Sequence, residues 1–424
     1  MMTMVATSIS SCKKYLDVNT NPNAAISGTP DLVLPQAITA IANQTWAYNF
    51  YGAQTAGYLA NGGGVSGWGA IISYNYASTD QIGLWNNSYD IATDVQYVID
   101  NTEGITNWIK FANTLKLRLV LRAGSKVTFT NKTFDSIGFL TDDAVVNPGY
   151  SKTSGKQNPA WNTFAYTYAG AVVSGGASYV PTPYIMGFYN GTKLTDAGRI
   201  AVTYKSGKET PTNQLGNLLA TAGRGISPNS WFIGTNSTSY ASIGIFKGPD
   251  APQPLLLLSD SYFLQAEGVM KGLITGDAKT YFDNGIQASF RYLYKNSTNA
   301  IASGKDPVID GKAYQTTNST NYLANYNLAV TDDQRLEAII TQKYIALNML
   351  FGDEAWNEYR RTGYPANNAS TSATPVQTIN SIVSESTATD KLPARLQYPS
   401  TEFNYNAANV PTVDKYMSKI FWAK

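Results

Sequence analysis

The chain has 424 residues, 31 basic and 29 acidic, a net charge of +2 and no histidine. The missing histidine removes Ser-His-Asp and Cys-His nucleophiles and every imidazole-ligated metal centre, and the near-balanced charge, with no long basic run, calls for no nucleic acid. The single cysteine, Cys12, forms neither an internal disulfide nor a cysteine metal site by itself. Only 14% of residues are charged, whereas Asn, Thr, Ser, Gly and the 29 tyrosines are abundant, so the surface is polar and suited to hydrogen bonding with neutral groups.

Residues 1–11 are mostly small or apolar and end in Ile-Ser-Ser before Cys12. That ending resembles the lipobox at which a bacterial signal peptidase cuts, so residues 1–12 are expected to be a targeting segment with Cys12 as the lipid attachment. No stretch reaches the ~18 apolar residues of a membrane span, and the lipid would be the membrane anchor. Helical periodicity runs from Asp31 to about Leu59, with Leu32, Leu34, Ile38, Ile41, Trp46 and Phe50 at compatible spacings. NGGGVSGWGA, 61–70, breaks it, and Trp68 in that glycine loop is not expected to be a regular core residue. Helices are predicted again over Thr79–Ile99 and Ile105–Arg122, their aromatics read as core.

From Asp142 to Pro252 no period is sustained, which predicts a long, loop-rich insertion with a few short strands. Two helices, about 257–271 and 277–293, follow with Gly272 and Gly276 in the turn. Residues 296–328 are rich in Asn, Thr and Ser and read as a further loop. In 331–365 the apolar positions Leu336, Ile339, Ile340, Tyr344, Leu347, Leu350 and Phe351, with Ile345, Ala346 and Met349 on a second side, predict a helix sandwiched between neighbours. Thr331 with Gln334 has the form of a capping box. Gly352 is expected to break that helix, and a second helix, 353–361, to complete an αα-hairpin, with Gly363 and Pro365 as stop signals.

QKYIALNMLFGDEAWNEYRRTGYP, ending at Pro365, resembles the C-terminal signature of the SusD/RagB family, outer-membrane nutrient-binding lipoproteins of Bacteroidetes. CKKYLDVNTNPNAA after the lipobox, TDAGRIAVTY (195–204), FLQAEG with Glu267, LPARLQYPSTEFNYNAANV and the final KIFWAK are similar to other segments of that family. The resemblance implies a mainly α fold: a tetratricopeptide-like scaffold of helix pairs, about 30–130 and 255–365, with the insertion at about 142–252 and a closing tail at 366–424, all in one domain from 13 to 424. It implies a lipid-anchored protein of the outer membrane, at the cell surface, that binds nutrient without a cofactor or turnover. Its partners would be an oligosaccharide and a SusC-like TonB-dependent transporter met by the scaffold helices. In the family's pattern Asp196 and Arg199 would pair to pin the insertion.

An oligosaccharide site needs exposed aromatic rings on irregular backbone, beside side chains that bind hydroxyls. Trp68, Tyr74, Tyr76 and Trp231 meet that description and are the candidate ligand-binding residues. Trp85, Trp108, Trp356 and Trp422 are assigned to the core. The acidic pairs Asp332/Asp333 and Asp353/Glu354 sit where helix starts favour acids, and adjacent residues do not face each other across a sugar as glycosidase carboxylates must. Arg360 and Arg361 at a helix end are read as structural. Three other readings stay open: a peptide-binding capture protein of the RagB type, a surface glycoside hydrolase, and an accessory lipoprotein that binds nothing.

Overall fold

The computed structural model describes residues 29–100, 106–219, 223–224 and 226–424. Cys12 and the expected targeting segment lie outside them. Eight longer helices carry the architecture: α1 (Pro30–Thr55), α2 (Ile82–Asp100), α3 (Thr106–Ala123), α4 (Leu258–Met270), α5 (Ala278–Tyr294), α6 (Pro307–Thr317), α7 (Asp332–Ala346) and α8 (Gly352–Thr362). Local chemistry explains most boundaries. Pro30 opens α1, where its missing N–H has no intrahelical partner to lose. The Asp277 side chain accepts from Thr280 N at the start of α5, and the Thr331–Gln334 capping box is fully formed at the start of α7. Gly363 ends α8 in the left-handed region, at φ 84°.

Three parts of the sequence expectation are corrected here. Residues 296–328 are not all loop, because α6 lies within them, started by Asp306 capping the amides of Val308 and Ile309 with Pro307 at its first position. Gly352 does not break α7, which has already stopped at Ala346; it is instead the first residue of α8. Thirdly, α8 follows α7 after a short turn but lays its main face on α1.

The α1–α8 contact is backbone on backbone. A Cβ at Gly52 would stand 2.0 Å from Asp353 N, and one at Gly352 would stand 2.3 Å from Ala53 N. Only glycine at both positions permits this approach. Asn49 of α1 locks the junction, donating to Met349 O at 3.0 Å and accepting from Gly352 N at 2.7 Å. On its other side α1 packs against α2, while α4 is held among α3, α5 and α7. These paired helices form the tetratricopeptide-like scaffold, and α7 is buried from Ala338 through Ala346, as its apolar pattern requires.

Among the described residues, six short strands form three antiparallel two-stranded ladders. Strand β2 (Ala144–Val146) pairs with β6 (Gln253–Leu256), so the loop-rich stretch leaves and re-enters the scaffold on one ladder. β1 (Leu59–Asn61) pairs with β3 (Tyr179–Pro181), and β4 (Gly234–Asn236) with β5 (Ser239–Tyr240). Between scaffold and insertion lies an aromatic core in which Phe164 stacks on Tyr179 and Phe246 and meets Trp46 and Trp231 edge-on. Asp196 and Arg199 are fully buried and paired, with the guanidinium held between the Phe290 and Tyr314 rings. That pair pins the short helix Ala197–Thr203 against α5 and α6.

Charge is also buried where α3, α4, α7 and α8 meet. Arg118, Arg122, Lys343 and Arg361 face Asp260, Glu267, Glu354 and Glu358 in one network, closed by the two-pronged Arg361–Glu267 pair at 2.6 and 2.7 Å.

Candidate functional site

On α8 the residues Asp353, Trp356, Asn357 and Arg360 recur at i, i+3, i+4 and i+7, which places an acid, an indole, an amide and a guanidinium on one helical face. Because Gly352 sits against α1, that face opens beside Tyr48 and Tyr51 of α1. The first turn of α2 adds Leu84 and Trp85, and the tail segment 395–398 covers the far side. Together they enclose a cleft of about 360 Å³, within the size range of small-ligand sites. The Tyr48 hydroxyl ties two walls together by donating to Leu84 O at 3.2 Å.

Aromatic rings form much of the lining. Trp85 meets Tyr398 edge-on at 5.8 Å between ring centres, and Tyr51 meets Trp356 in the same way, also at 5.8 Å. The Arg360 guanidinium lies 3.6 Å from the centre of the Trp356 ring, and Arg395 lies 5.0 Å from that of Tyr398. Three residues that line this cleft carry a buried polar atom with no hydrogen-bond partner among the described residues: Trp356 Nε1, Arg360 Nε and Asp353 Oδ1. Two are donors and one an acceptor, a complement to hydroxyl groups. Burial pulls Arg360 down to about 9, still charged at neutral pH. Burial, reinforced by the neighbouring Glu354 charge, pushes the Asp353 carboxyl up to about 6.

Such a raised carboxyl binds its proton more tightly folded than unfolded, so its contribution to stability is present below about pH 4 and lost as pH rises through about 6. Asp353→Asn is therefore expected to be more stable than the parent by about 1–2 kcal/mol at pH 8, after allowance for the side chain's partial exposure. The difference should vanish near pH 4. Urea melts at the two pH values measure it, and an equal difference at both would refute the assignment.

The expected exposure of the candidate rings is corrected. Trp68 is 8% exposed, lies against Tyr179 at 5.0 Å and donates its Nε1–H to Val65 O. Tyr74 and Trp231 are 0% and 1% exposed, held by partners far away in the chain. Tyr76 alone of the four keeps partial exposure; it packs on Tyr51, directly behind the cleft wall. Among the four tryptophans assigned to the core, Trp356 is buried, Trp85 and Trp422 are half-buried, and Trp108 is 45% exposed. In the sequence the helix dipole alone explains the acids and arginines of α8, and the signal that points to the cleft is the 353/356/357/360 spacing. Arg361, one position away from Arg360, is structural as expected, and so is Glu354, which pairs with Arg122 and Lys343.

A scaffold of paired helices, a loop-rich half joined to it by a short ladder and an aromatic cleft at one helix crossing define a tetratricopeptide-like, mainly α protein. The chain belongs to the SusD-like family, whose description is starch-binding, associating with the outer membrane, and which matches residues 70–399. Among solved structures it is similar to a SusD homolog from Bacteroides fragilis at 14% identity, over 93% of this chain and 99% of that one, with a TM-score of 0.62. A SusD/RagB family protein from Bacteroides thetaiotaomicron is 16% identical over 93% and 99%, also with a TM-score of 0.62. A chitin-binding SusD homolog from Flavobacterium johnsoniae is 17% identical over 92% and 98%, with a TM-score of 0.55. At these identities the likeness is one of fold. No curated protein matches the chain in sequence.

Proposed function

We propose that this protein captures an oligosaccharide at the outer membrane and passes it, unaltered, to a SusC-like TonB-dependent transporter, with Cys12 carrying the lipid anchor. The observation that carries this reading is the cleft among α1, α2, α8 and the tail, where half-buried Trp85 and Tyr398 lie beside unpaired donors on Trp356 and Arg360 and an unpaired acceptor on Asp353. A pyranose offers an apolar face to an aromatic ring and hydroxyls at its rim, and this lining matches both. Membership of a family described as starch-binding supports the ligand class and the membrane. The chitin-binding relative adds a second glycan type to test. Binding without turnover is favoured because Asp353 is the one carboxylate among the described lining residues, and glycoside hydrolysis uses two facing each other.

Isothermal titration of the purified protein with malto- and chito-oligosaccharides tests this reading. A saturable glycan complex is expected, weakened about tenfold by Trp85→Ala, at the upper end of the ~0.5–1.5 kcal/mol expected of one stacked ring, with the sugar recovered at its starting length. Binding of peptides alone, or shortened glycan, would overturn it.

A further inference from the structure

The charges at the cleft are unusual for this molecule. Arg118, Arg122, Arg199, Arg291, Arg335 and Arg361 each form an ion pair with an Asp or Glu side chain. Arg360 and Arg395, both at the cleft, form none among the described residues. Their hydrogen bonds are few as well. Arg360 donates to Ala394 O at 3.0 Å and to Asn357 Oδ1, leaving Nε unpaired, and the Arg395 guanidinium donates its Nε–H to Leu396 O at 3.2 Å and makes no other side-chain hydrogen bond among the described residues. A guanidinium carries five N–H donors in a planar fork, so most of the donors on both groups remain unspent.

The two groups are also held in place. Arg360 is pressed on Trp356, with the Trp422 ring centre 5.0 Å away, and Arg395 sits over Tyr398. The cost of holding two partly desolvated cations without counter-charges is offset when a ligand supplies an anion, and the bond formed is stronger there than in open water. Asp353 forms no ion pair with Arg360: it lies seven residues earlier, a rise of about 10 Å along α8, and its charge offsets the burial of the guanidinium only in part. The same rise keeps an anion received at Arg360 about 10 Å along the helix from the like charge of Asp353.

Resting on the capture reading above, we propose that the cleft selects a carboxylate-bearing oligosaccharide, a glycan containing uronic acid, whose carboxylate is received at Arg360 and Arg395 while a sugar ring lies on Trp85. The neighbouring hydroxyls then meet Trp356 Nε1 and Asp353. The guanidinium fork matches a carboxylate in plane, and the nearby rings exclude water from the pair.

Titration calorimetry of the purified protein with trigalacturonate and with the neutral galactotriose of the same linkage decides the matter, at two salt concentrations. The acidic trimer is expected to bind at least about tenfold more tightly, as a charge-assisted pair would provide, and to lose part of that advantage at high salt. Arg360→Gln and Arg395→Gln should each cut the ratio of the two affinities several-fold, a readout that a general loss of folding would not shift; two variants guard against misfolding of either one. Equal or tighter binding of the neutral trimer overturns the selectivity and leaves glycan capture standing. If neither trimer nor any neutral glycan binds, the capture reading itself fails. A triglutamate peptide that binds as tightly as trigalacturonate would make the cleft a carboxylate site indifferent to sugar, and the proposal falls.

Discussion

Lys343→Met is expected to lower the unfolding free energy by about 3–5 kcal/mol at neutral pH, the range found when one partner of a buried ion pair is removed. The ammonium of Lys343 stands 2.9 Å from Asp260, 3.1 Å from Glu354 and 3.1 Å from Glu358, and all four groups are at least 95% buried. Burial alone would raise the Glu358 carboxyl, but the Arg361 and Lys343 charges outweigh it and hold it at about 2. Glu354 is likewise held well below its ordinary range against burial, by Arg118, Arg122 and Lys343. These depressed groups contribute stability that is present above about pH 4.5 and lost as pH falls towards about 2. Without Lys343 the Glu354 and Glu358 carboxyls rise and take up protons at higher pH than in the parent, so the deficit of the variant should shrink as pH falls from neutral towards about 2. Denaturant melts across that interval measure it. A loss below about 1 kcal/mol at neutral pH would show that the arginines alone balance the acids.

Gly352→Val should be nearly as costly and should also abolish ligand binding. The new Cβ would stand 2.3 Å from Ala53 N and 2.5 Å from Ala53 Cα, both backbone atoms that cannot rotate away. Helices α1 and α8 must then separate, at a cost of about 3 kcal/mol, the upper end of ordinary overpacking. Tyr48 and Tyr51 move with one helix, and Asp353, Trp356 and Arg360 with the other, so the cleft loses its width. Thermal melting together with glycan titration tests both halves. A folded variant that binds normally would mean that the crossing does not set the site.

What could be read in the sequence follows from which forces are local. Caps and periodicity act within a few residues, and the capping box of α7, the hairpin of α4 and α5, the Gly363 stop and the Asp196–Arg199 pair all stand where the residues point. Helix α6 leaves no periodic trace in the sequence because its apolar residues do not form a buried stripe: Val308 and Ile309 are 44% and 64% exposed, whereas Gly311 and Tyr314 are buried. Its local cue is the Asp-Pro start. Aromatic burial departs from the sequence expectation in both directions, since it is decided by distant partners. Trp68 is buried by Tyr179 and Trp231 by Phe164 and Tyr204, whereas among the described residues Trp108 has only its neighbour Phe111 for ring contact. The cleft draws on residues near 48, 85, 356 and 396, brought together by two glycines that touch only in the folded chain.

A crystal structure of the protein with its tightest oligosaccharide shows where the ligand sits. A sugar ring is expected against Trp85, with hydroxyl oxygens within hydrogen-bond distance of Asp353 Oδ1 and Trp356 Nε1. A glycan seated instead on the glycine loop around Trp68, or anywhere else with this cleft unfilled, would contradict this placement.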